Sequence, residues 1–296
     1  MDPVKVWPRL QHKLPDYIKL TRLNRPIGAF LLLWPTLWAL WLASSGKPDL
    51  KILAIFIVGT WLTRSAGCAI NDFADRDIDK HIRRTRDRPL TSGRVSAAEA
   101  LVLAAVLMLL AFLLVLLTNG LTILLSFVAL FLASVYPFMK RYTHFPQIVL
   151  GAAFAIAVPM AFAAQTGSVP MLGWQVFIAA VIWAVAYDTF YAMADREDDI
   201  KVGVKSTAIF FGHYDLAVIA FAQVCMLGIM LVVGIQAERG ALYFFGLAIA
   251  LGIAIVQLYV TRHRDADKCF WAFLNNHYLG MVIFLGLSTD YLLHEH

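Results

Sequence analysis

The stretch NDFADRDID, residues 71–79, joins a run of carboxylates directly to the end of an apolar segment, Ile52 to Ile70. That segment is long enough to sit in a bilayer. Asn71, Asp75 and Asp79 recur at every fourth residue, so a continuous helix would align their oxygens along one side. Stacked carboxylates repel one another and are unfavourable at a membrane surface unless a cation lies between them. The pattern therefore predicts a cation site at the end of a membrane helix.

A second acidic run closes another apolar segment far downstream. Asp188 precedes Asp195 by seven residues and Asp199 by eleven. In the first run, Arg64 likewise precedes Asn71 by seven residues and Asp75 by eleven. Each helix would thus carry an ionisable group inside the membrane below an acidic end. Such a group is rare in a bilayer unless it has a partner or faces water. Arg64 could form a purely structural ion pair, but two acidic helix ends favour one shared metal site in a polar chamber.

The composition identifies the class of protein. Of the 296 residues, 60% are hydrophobic and 15% are charged, and the mean hydropathy is +0.70. These values lie outside the range of soluble domains and predict a polytopic membrane protein. The net charge of +5 does not indicate a nucleic-acid binder, because the basic residues cluster in short loops rather than on one folded face.

The loops also predict the orientation of the chain in the membrane. A window of about 20 residues, the length that crosses the hydrocarbon core, finds about nine apolar spans. Most of the 25 Lys and Arg residues lie before the first span or in every second loop after it. By the positive-inside rule, the amino terminus and both acidic runs are expected to face the cytoplasm.

A basic loop follows each acidic run. RRTRDRPLTSG, residues 83–93, follows the first run, and IKVGVKST, residues 200–207, follows the second. Such cations can simply set the topology. Because they are coupled twice to acidic helix ends, they also suit a polyanion, whose phosphate oxygens Arg and Lys would bind beside the metal.

Four segments in this order resemble the UbiA superfamily of intramembrane aromatic prenyltransferases. They are NDFADRDID, RTRDRPLTSG, YPFMKRYTHFPQIVLG and YDTFYAMADREDDIKVGVKSTA. The amino-terminal segment RPIGAFLLLWPTLWALW most resembles the members that act on 4-hydroxybenzoate in ubiquinone biosynthesis. The resemblance covers nearly the whole chain from Arg22 onward. It implies an all-α membrane protein, a bundle of about nine transmembrane helices around a central polar cavity that opens laterally to lipid.

The resemblance also implies the ligands and the residues that bind them. In this superfamily two acidic motifs hold Mg²⁺ and the diphosphate of a polyprenyl donor. The corresponding candidate metal ligands are Asn71, Asp75, Asp79, Asp195 and Asp199. The candidate diphosphate-binding residues are Arg84, Arg88, Lys140, Lys201 and Lys205. Residues 1–296 are expected to form one transmembrane domain of the bacterial inner membrane, with residues 1–25 as a cytoplasmic segment.

The expected reaction is Mg²⁺-dependent transfer of a polyprenyl group from polyprenyl diphosphate to the ring carbon ortho to the hydroxyl of 4-hydroxybenzoate. An allylic diphosphate ionises when its leaving group is neutralised, and a dry apolar chamber protects the resulting cation. A carboxylate can polarise the phenol and assist ring deprotonation. The candidate catalytic residues are Asp195 and Asp188. The candidates for binding the acceptor carboxylate are Arg141, Arg64 and Arg22.

Three alternatives remain open at this stage. Another acceptor, such as a naphthoate, homogentisate or haem, would use the same donor site. A CDP-alcohol phosphotransferase also uses aspartates on membrane helices, but its DG-x-x-AR pattern is absent from the sequence. A cation transporter could use Arg64, Asp75 and Asp188 as a relay, although transporters place such charges near the midplane of broken helices.

Overall fold

The computed structural model describes residues 13–81 and 85–293, and this part of the chain contains helices and turns but no strand. A helical segment over residues 13–20 comes first. The helices that follow are α1 (Ile27–Ala43), α2 (Leu50–Asp75), α3 (Ala97–Val115), α4 (Gly120–Tyr142), α5 (Pro146–Ala155), α6 (Ala157–Thr166), α7 (Met171–Val202), α8 (Thr207–Phe211), α9 (Asp215–Gln236), α10 (Ala241–Thr261) and α11 (Ala266–Leu293). Two short 3-10 turns lie at Asp79–His81 and Gly212–Tyr214.

Most of these helices can cross a membrane. Within the described residues, 8 helical stretches are long and apolar enough to do so; α5 and α6 together form one of them, and α8 and α9 form another. Helix α1 is equally apolar but has only 17 residues. The prediction of an all-α bundle of about nine membrane helices is confirmed, and the molecule is a multi-pass membrane protein.

Local sequence sets where several helices begin. The side chain of Asp49 accepts a hydrogen bond from the Ile52 backbone N–H at the start of α2. A reciprocal capping box between Ser96 and Glu99 opens α3, and Asn119 caps α4. These side chains satisfy backbone N–H groups that have no partner within the first turn of a helix.

One membrane span is broken in its middle. Helix α5 ends at Ala155 and α6 begins at Ala157, two residues before Pro159. Proline has no N–H to bond to the carbonyl four residues earlier, and its ring crowds that carbonyl. The break therefore follows from Pro159.

Close packing of aromatic rings on glycine joins α1, α7 and α11. Trp38 is fully buried, and its Nε1 donates a hydrogen bond to the Gly280 carbonyl oxygen over 3.1 Å. The rings of Trp38 and Trp183 lie 5.4 Å apart. A Cβ atom on Gly280 would come within 2.6 Å of Trp183 and 2.8 Å of Trp34. Glycine is therefore required at position 280 of α11, where Trp34 and Trp183 approach the backbone.

Buried amides join four helices inside the bundle. The Gln257 side chain accepts a hydrogen bond from Gln223 over 3.0 Å and donates one to Asn275 over 3.1 Å. Asn276 donates to Gln257 and accepts from the Trp183 indole over 3.0 Å. No water can satisfy such groups in hydrocarbon, so amides that pair across helices stabilise helix association.

We expect Gly280→Val to destabilise the bundle, because the new side chain would overlap two rigid indole rings. Overpacking of this kind costs about 1–3 kcal/mol, and the thermal midpoint of the detergent-solubilised protein should fall by several degrees. Gly252→Val is the matched control, since a Cβ atom on Gly252 in helix α10 has no neighbour within 4 Å. Equal midpoints for the two variants would contradict the packing assignment.

Candidate active site

The first acidic motif does not form one continuous helix. Helix α2 ends at Asp75, and Asp79 begins the 3-10 turn Asp79–His81 after an intervening turn. The predicted helical alignment of Asn71, Asp75 and Asp79 is therefore wrong at Asp79. Beyond the turn, the Asp79 carboxylate accepts a hydrogen bond from Arg88, which follows nine residues later. We call the end of the bundle that carries the two acidic motifs the acidic end.

Three carboxylates of the first motif, Asp72, Asp75 and Asp79, are buried. Asp72 is only 1% exposed, and its carboxylate accepts hydrogen bonds from Arg22 over 2.8 and 3.0 Å and from Arg88 over 2.9 Å. The same Arg88 nitrogen, Nη1, lies 2.7 Å from Asp79 Oδ2. Two arginines from separate segments thus hold the first motif.

Asp79 illustrates how burial and charge oppose each other at this end. Burial raises the pKa of the Asp79 carboxyl above its ordinary value, while the Arg88 guanidinium acts to lower it, and burial is the larger effect. The neighbouring carboxylates of Asp75 and Asp72 raise the pKa further. A further cation near Asp79 would favour its charged form.

Asn71 is held by a residue from another helix. The Tyr136 hydroxyl of α4 donates a hydrogen bond to Asn71 Oδ1 over 2.9 Å. The same tyrosine lies within electrostatic range of Asp75 and Asp188. Tyr136 of α4 therefore contacts the first acidic motif on α2 and lies near Asp188 on α7.

Arg64 is buried beneath the first motif. Its guanidinium donates to Cys68 Sγ over 2.8 Å and lies 5.8 Å from the ring centre of Phe154. Gly28 of α1 provides the space, because a Cβ atom there would come within 2.6 Å of Arg64. Arg64 also interacts electrostatically with Asp188 on α7. The structure thus brings the two intramembrane ionisable groups of the sequence together.

The second motif lies on one helix, as its spacing predicts. Helix α7 contains Asp188, Asp195 and Asp199. The helix ends at Val202 and is followed by Gly203, whose backbone is left-handed with φ 72°. Asp188 is within range of the Gln147 side chain on α5 as well as of Asp195. Asp195 is half-buried and Asp199 is buried. Asp188 on α7 therefore lies within electrostatic range of polar side chains on α2, α4 and α5.

A buried ion cluster fixes the acidic end of α7. The carboxylate of Asp215, which is fully buried, accepts a hydrogen bond from Arg196 and lies 2.9 Å from an Arg264 nitrogen. Arg196 also donates to the Ala208 carbonyl, and Arg264 donates to the His213 carbonyl over 2.6 Å. Helix α7, helix α9 and the turn before α11 are joined in this way.

The basic residues predicted to bind phosphate lie in different surroundings. Lys205 lies two residues before Thr207, whose buried hydroxyl shares a hydrogen bond with the buried Thr189 hydroxyl of α7 over 2.8 Å. This bond holds the segment that contains Lys205 near α7. The Lys205 Nζ lies 3.4 Å from the Tyr142 carbonyl oxygen. Lys201 is exposed and pairs with Asp198 over 3.3 Å.

Two further residues of this set have no described side chain. Arg84 lies outside the described residues. The side chain of Lys140 is also outside what the structure describes, although its backbone belongs to α4. Both remain predictions.

The three arginines predicted to bind an acceptor carboxylate are separated. Arg22 pairs with Asp72, and Arg141 donates to the Ala74 carbonyl oxygen over 2.8 Å at an exposed position. Arg64 is the deepest of the three, beside Asp188 and Gly28. The three residues therefore stay alternatives for this role rather than one cluster.

The side-chain oxygens at the acidic end suit a cation that is bound partly by the protein and partly by a phosphate ligand. Among the described residues, no three His, Cys, Asp or Glu side chains come together as a metal-binding group. Mg²⁺ in proteins is often held by one or two carboxylates together with phosphate oxygens of the substrate. The buried carboxylates of Asp75 and Asp79, with the Asn71 oxygen, fit that arrangement better than a closed protein cage.

The spacing of the first motif does not indicate Asp72 as a ligand, because on a helix it points about 100° away from Asn71. The sequence patterns also give no sign of Tyr136, Gln147 or Asp215. Asp72 follows Asn71 directly and precedes Asp75 by three residues, a spacing that places Asp72 and Asp75 side by side on a helix. That signal was available in the sequence. The other three come from distant segments, and no spacing rule connects them with the motifs.

The chain is similar to known proteins along almost its whole length. Residues 32–282 match the model of the UbiA prenyltransferase family. The 4-hydroxybenzoate octaprenyltransferase of Pseudomonas savastanoi pv. phaseolicola is 54% identical over 283 residues, which cover 96% of each chain.

Solved structures of more distant proteins share the fold. A UbiA homologue from Aeropyrum pernix K1 superposes with a TM-score of 0.79 at 24% identity, over 88% of this chain and 97% of that chain. A UbiA homologue from Archaeoglobus fulgidus, solved with GPP and Mg²⁺ bound, gives a TM-score of 0.68 at 19% identity over 94% and 99% of the two chains. With its helical bundle, its two acidic motifs and the family match over most of its length, this chain belongs to the UbiA prenyltransferase family.

Proposed function

We propose that this protein transfers a polyprenyl group from polyprenyl diphosphate to the ring carbon ortho to the hydroxyl of 4-hydroxybenzoate, with Mg²⁺ as cofactor, as a step of ubiquinone biosynthesis. The observation that carries the proposal is the group of buried carboxylates at the end of α2, two of which pair with Arg22 and Arg88. Asp195 and Asp199 near the end of α7 supply the second acidic motif. The full-length similarity to a 4-hydroxybenzoate octaprenyltransferase supports the choice of acceptor.

The donor's diphosphate binds at the acidic end. Asn71, Asp75 and Asp79 of the first motif, with Asp195 and Asp199 of the second, would hold Mg²⁺ there. When bound there, the ion would supply positive charge against the negative charge that develops on the leaving diphosphate. Arg88, Lys201 and Lys205 supply hydrogen-bond donors and positive charge to the remaining phosphate oxygens, and the same role is proposed for Arg84 and Lys140.

The prenyl transfer itself exchanges one bond for another. The bond between the allylic carbon and the diphosphate oxygen breaks, and its electron pair leaves with the diphosphate. The ring carbon ortho to the phenol hydroxyl then bonds to the allylic carbon, and the ring proton passes to a carboxylate. We assign that carboxylate to Asp195, with Asp188 as the deeper alternative on the same helix.

The surroundings of Arg64 suit the acceptor and the reactive cation. Tyr136, Tyr187 and Tyr191 lie within electrostatic range of the buried guanidinium, and Tyr187 packs edge-on against Trp183 at 5.3 Å. Aromatic walls exclude water, which would otherwise trap the allylic cation. Arg64, Arg141 and Arg22 remain the candidates that bind the acceptor carboxylate.

We further propose that residues 1–296 form a single prenyltransferase domain in the bacterial inner membrane. Residues 1–25 and the acidic end face the cytoplasm, since the loops at that end carry most of the basic residues. Polyprenyl diphosphate would therefore be bound from the cytoplasmic side of the membrane.

The deciding experiment is the mass of the product that membranes containing the protein form from 4-hydroxybenzoate and mixed polyprenyl diphosphates. We expect one polyprenyl group added to the ring, dependent on Mg²⁺. Asp75→Asn should lower the rate by about a hundredfold or more, because one buried ligand oxygen and its charge are lost. A product formed only from a naphthoate or homogentisate would reassign the acceptor, and cation flux without any prenylated product would support a transporter.

Asp195→Asn tests the acid-base assignment. We expect kcat to fall by about 10²- to 10⁴-fold at saturating Mg²⁺ and donor, the usual contribution of a positioned proton acceptor. Glu197→Gln is the control on the same helix, because Glu197 is exposed and has no proposed role, and it should retain near-normal activity. Near-normal transfer by Asp195→Asn would remove Asp195 from the mechanism.

Tyr136→Phe tests whether the Asn71 amide is oriented by its hydrogen bond. The variant loses only the hydroxyl that binds Asn71 Oδ1, and the Mg²⁺ concentration for half-maximal activity should rise about tenfold, as is typical when a supporting partner of a metal ligand is removed. Tyr142→Phe, at a position that is 74% exposed, should leave this concentration unchanged. The same value for both variants would show that Tyr136 does not support the ligand.

A further inference from the structure

The Arg88 guanidinium joins two carboxylates through one nitrogen. Its Nη1 lies 2.7 Å from Asp79 Oδ2 and 2.9 Å from Asp72 Oδ1. A guanidinium nitrogen of this kind carries two hydrogens, so each carboxylate receives one. Both hydrogens of Nη1 are therefore engaged by acidic side chains, and one of those side chains is a proposed metal ligand.

Asp72 is the better anchored of the two partners. Its Oδ1 also accepts a hydrogen bond from Arg22 Nη2 over 2.8 Å, and its Oδ2 accepts from the same nitrogen over 3.0 Å. Asp79, in contrast, lies beyond the end of α2 in a short turn. Arg88 can therefore leave Asp79 and remain bound to Asp72.

The backbone near Arg88 keeps the loop close to this site. The Arg88 N–H donates to the Thr85 carbonyl oxygen over 3.0 Å, and the Thr85 hydroxyl donates to the Asp79 carbonyl oxygen over 3.0 Å. The backbone bond between Arg88 and Thr85 and the bond to the Asp79 carbonyl oxygen do not depend on the Arg88 guanidinium, and the Thr85 side chain also interacts with the Asp79 carboxylate. A change of partner by the Arg88 side chain would leave these bonds intact.

A divalent cation at Asp79 and the Arg88 guanidinium would repel each other strongly at this distance in a buried site. We propose that Arg88 competes with the divalent cation for the Asp79 carboxylate, and that Asp72 is the positioning residue that retains Arg88 beside the site so that it can turn to the donor's diphosphate. The proposal rests on the proposed function for its diphosphate ligand. It implies that cation and diphosphate binding reinforce each other, because the cation releases the guanidinium that the phosphate requires.

The test measures metal and diphosphate binding separately, with purified full-length protein in detergent. Binding of Mn²⁺, followed by the electron paramagnetic resonance signal of the free ion, should become about tenfold tighter in Arg88→Ala without any phosphate present, because one competing charge is removed. Binding of inorganic pyrophosphate at saturating Mg²⁺ should become about tenfold weaker in the same variant. A residue that only supported the fold would weaken both.

Arg86→Ala is the matched control from the same loop. The Arg86 side chain is 64% exposed and lies 3.9 Å from exposed Asp87. Both affinities should stay at the wild-type values. Arg88→Gln, which keeps much of the side-chain length without the charge, serves as the second variant if Arg88→Ala does not yield a monodisperse protein, and the same two shifts are expected.

Asp72 is tested by a double-mutant cycle. Asp72→Asn should weaken pyrophosphate binding in the wild-type background and have little effect in the Arg88→Ala background, because Asp72 acts through Arg88. Additive losses would overturn its positioning role. Mn²⁺ binding by Arg88→Ala that is equal to or weaker than wild type would overturn the competition. Neither measurement uses an acceptor, so these outcomes are independent of the product that tests the proposed function.

Discussion

Carboxylates buried at one end of a membrane bundle must be balanced by cations, and the acidic end is organised by that constraint. Arg22 and Arg88 balance the negative charge of Asp72 and Asp79 through ion pairs. One arginine precedes α1 and the other lies in the loop after α2. Breaking such a pair leaves an uncompensated buried charge, which commonly costs 3–5 kcal/mol. These ion pairs hold Arg22, in the segment before α1, and Arg88, in the loop after α2, against the end of α2.

The same solution recurs where α7 ends. Asp215 carries the negative charge, while Arg196 of α7 and Arg264 before α11 supply the positive charge. Both acidic motifs are thus fixed by ion pairs that connect segments far apart in the chain. Helix ends that are held from outside can present their acidic residues to a ligand with little loss of conformational entropy, which is the physical basis of a preorganised site.

Polar groups inside the bundle serve two different purposes. The amides of Gln223, Gln257 and Asn276 bond mainly to one another and join helices, as expected where no water is available. Arg64 on α2 and Asp188 on α7 instead interact electrostatically with each other. A charge inside the membrane is unfavourable without a function or a partner, and these two residues lie on the helices that carry the two acidic motifs.

The membrane class, the number of apolar helices and the two acidic motifs can be predicted from the amino-acid sequence, because hydrophobic length and residue spacing are local properties of the chain. The spacing correctly predicts that Asp195 and Asp199 share one helix, but it wrongly extends α2 to Asp79. The end of α2 at Asp75 and the contact between Arg88 and Asp79 are seen only in the folded protein. The tertiary structure alone brings Tyr136 to Asn71 across 65 positions of sequence. These contacts depend on which helices pack side by side and which charges are buried together. Burial and ion pairing act on these side chains only once the bundle has formed, so no local pattern in the sequence reveals them.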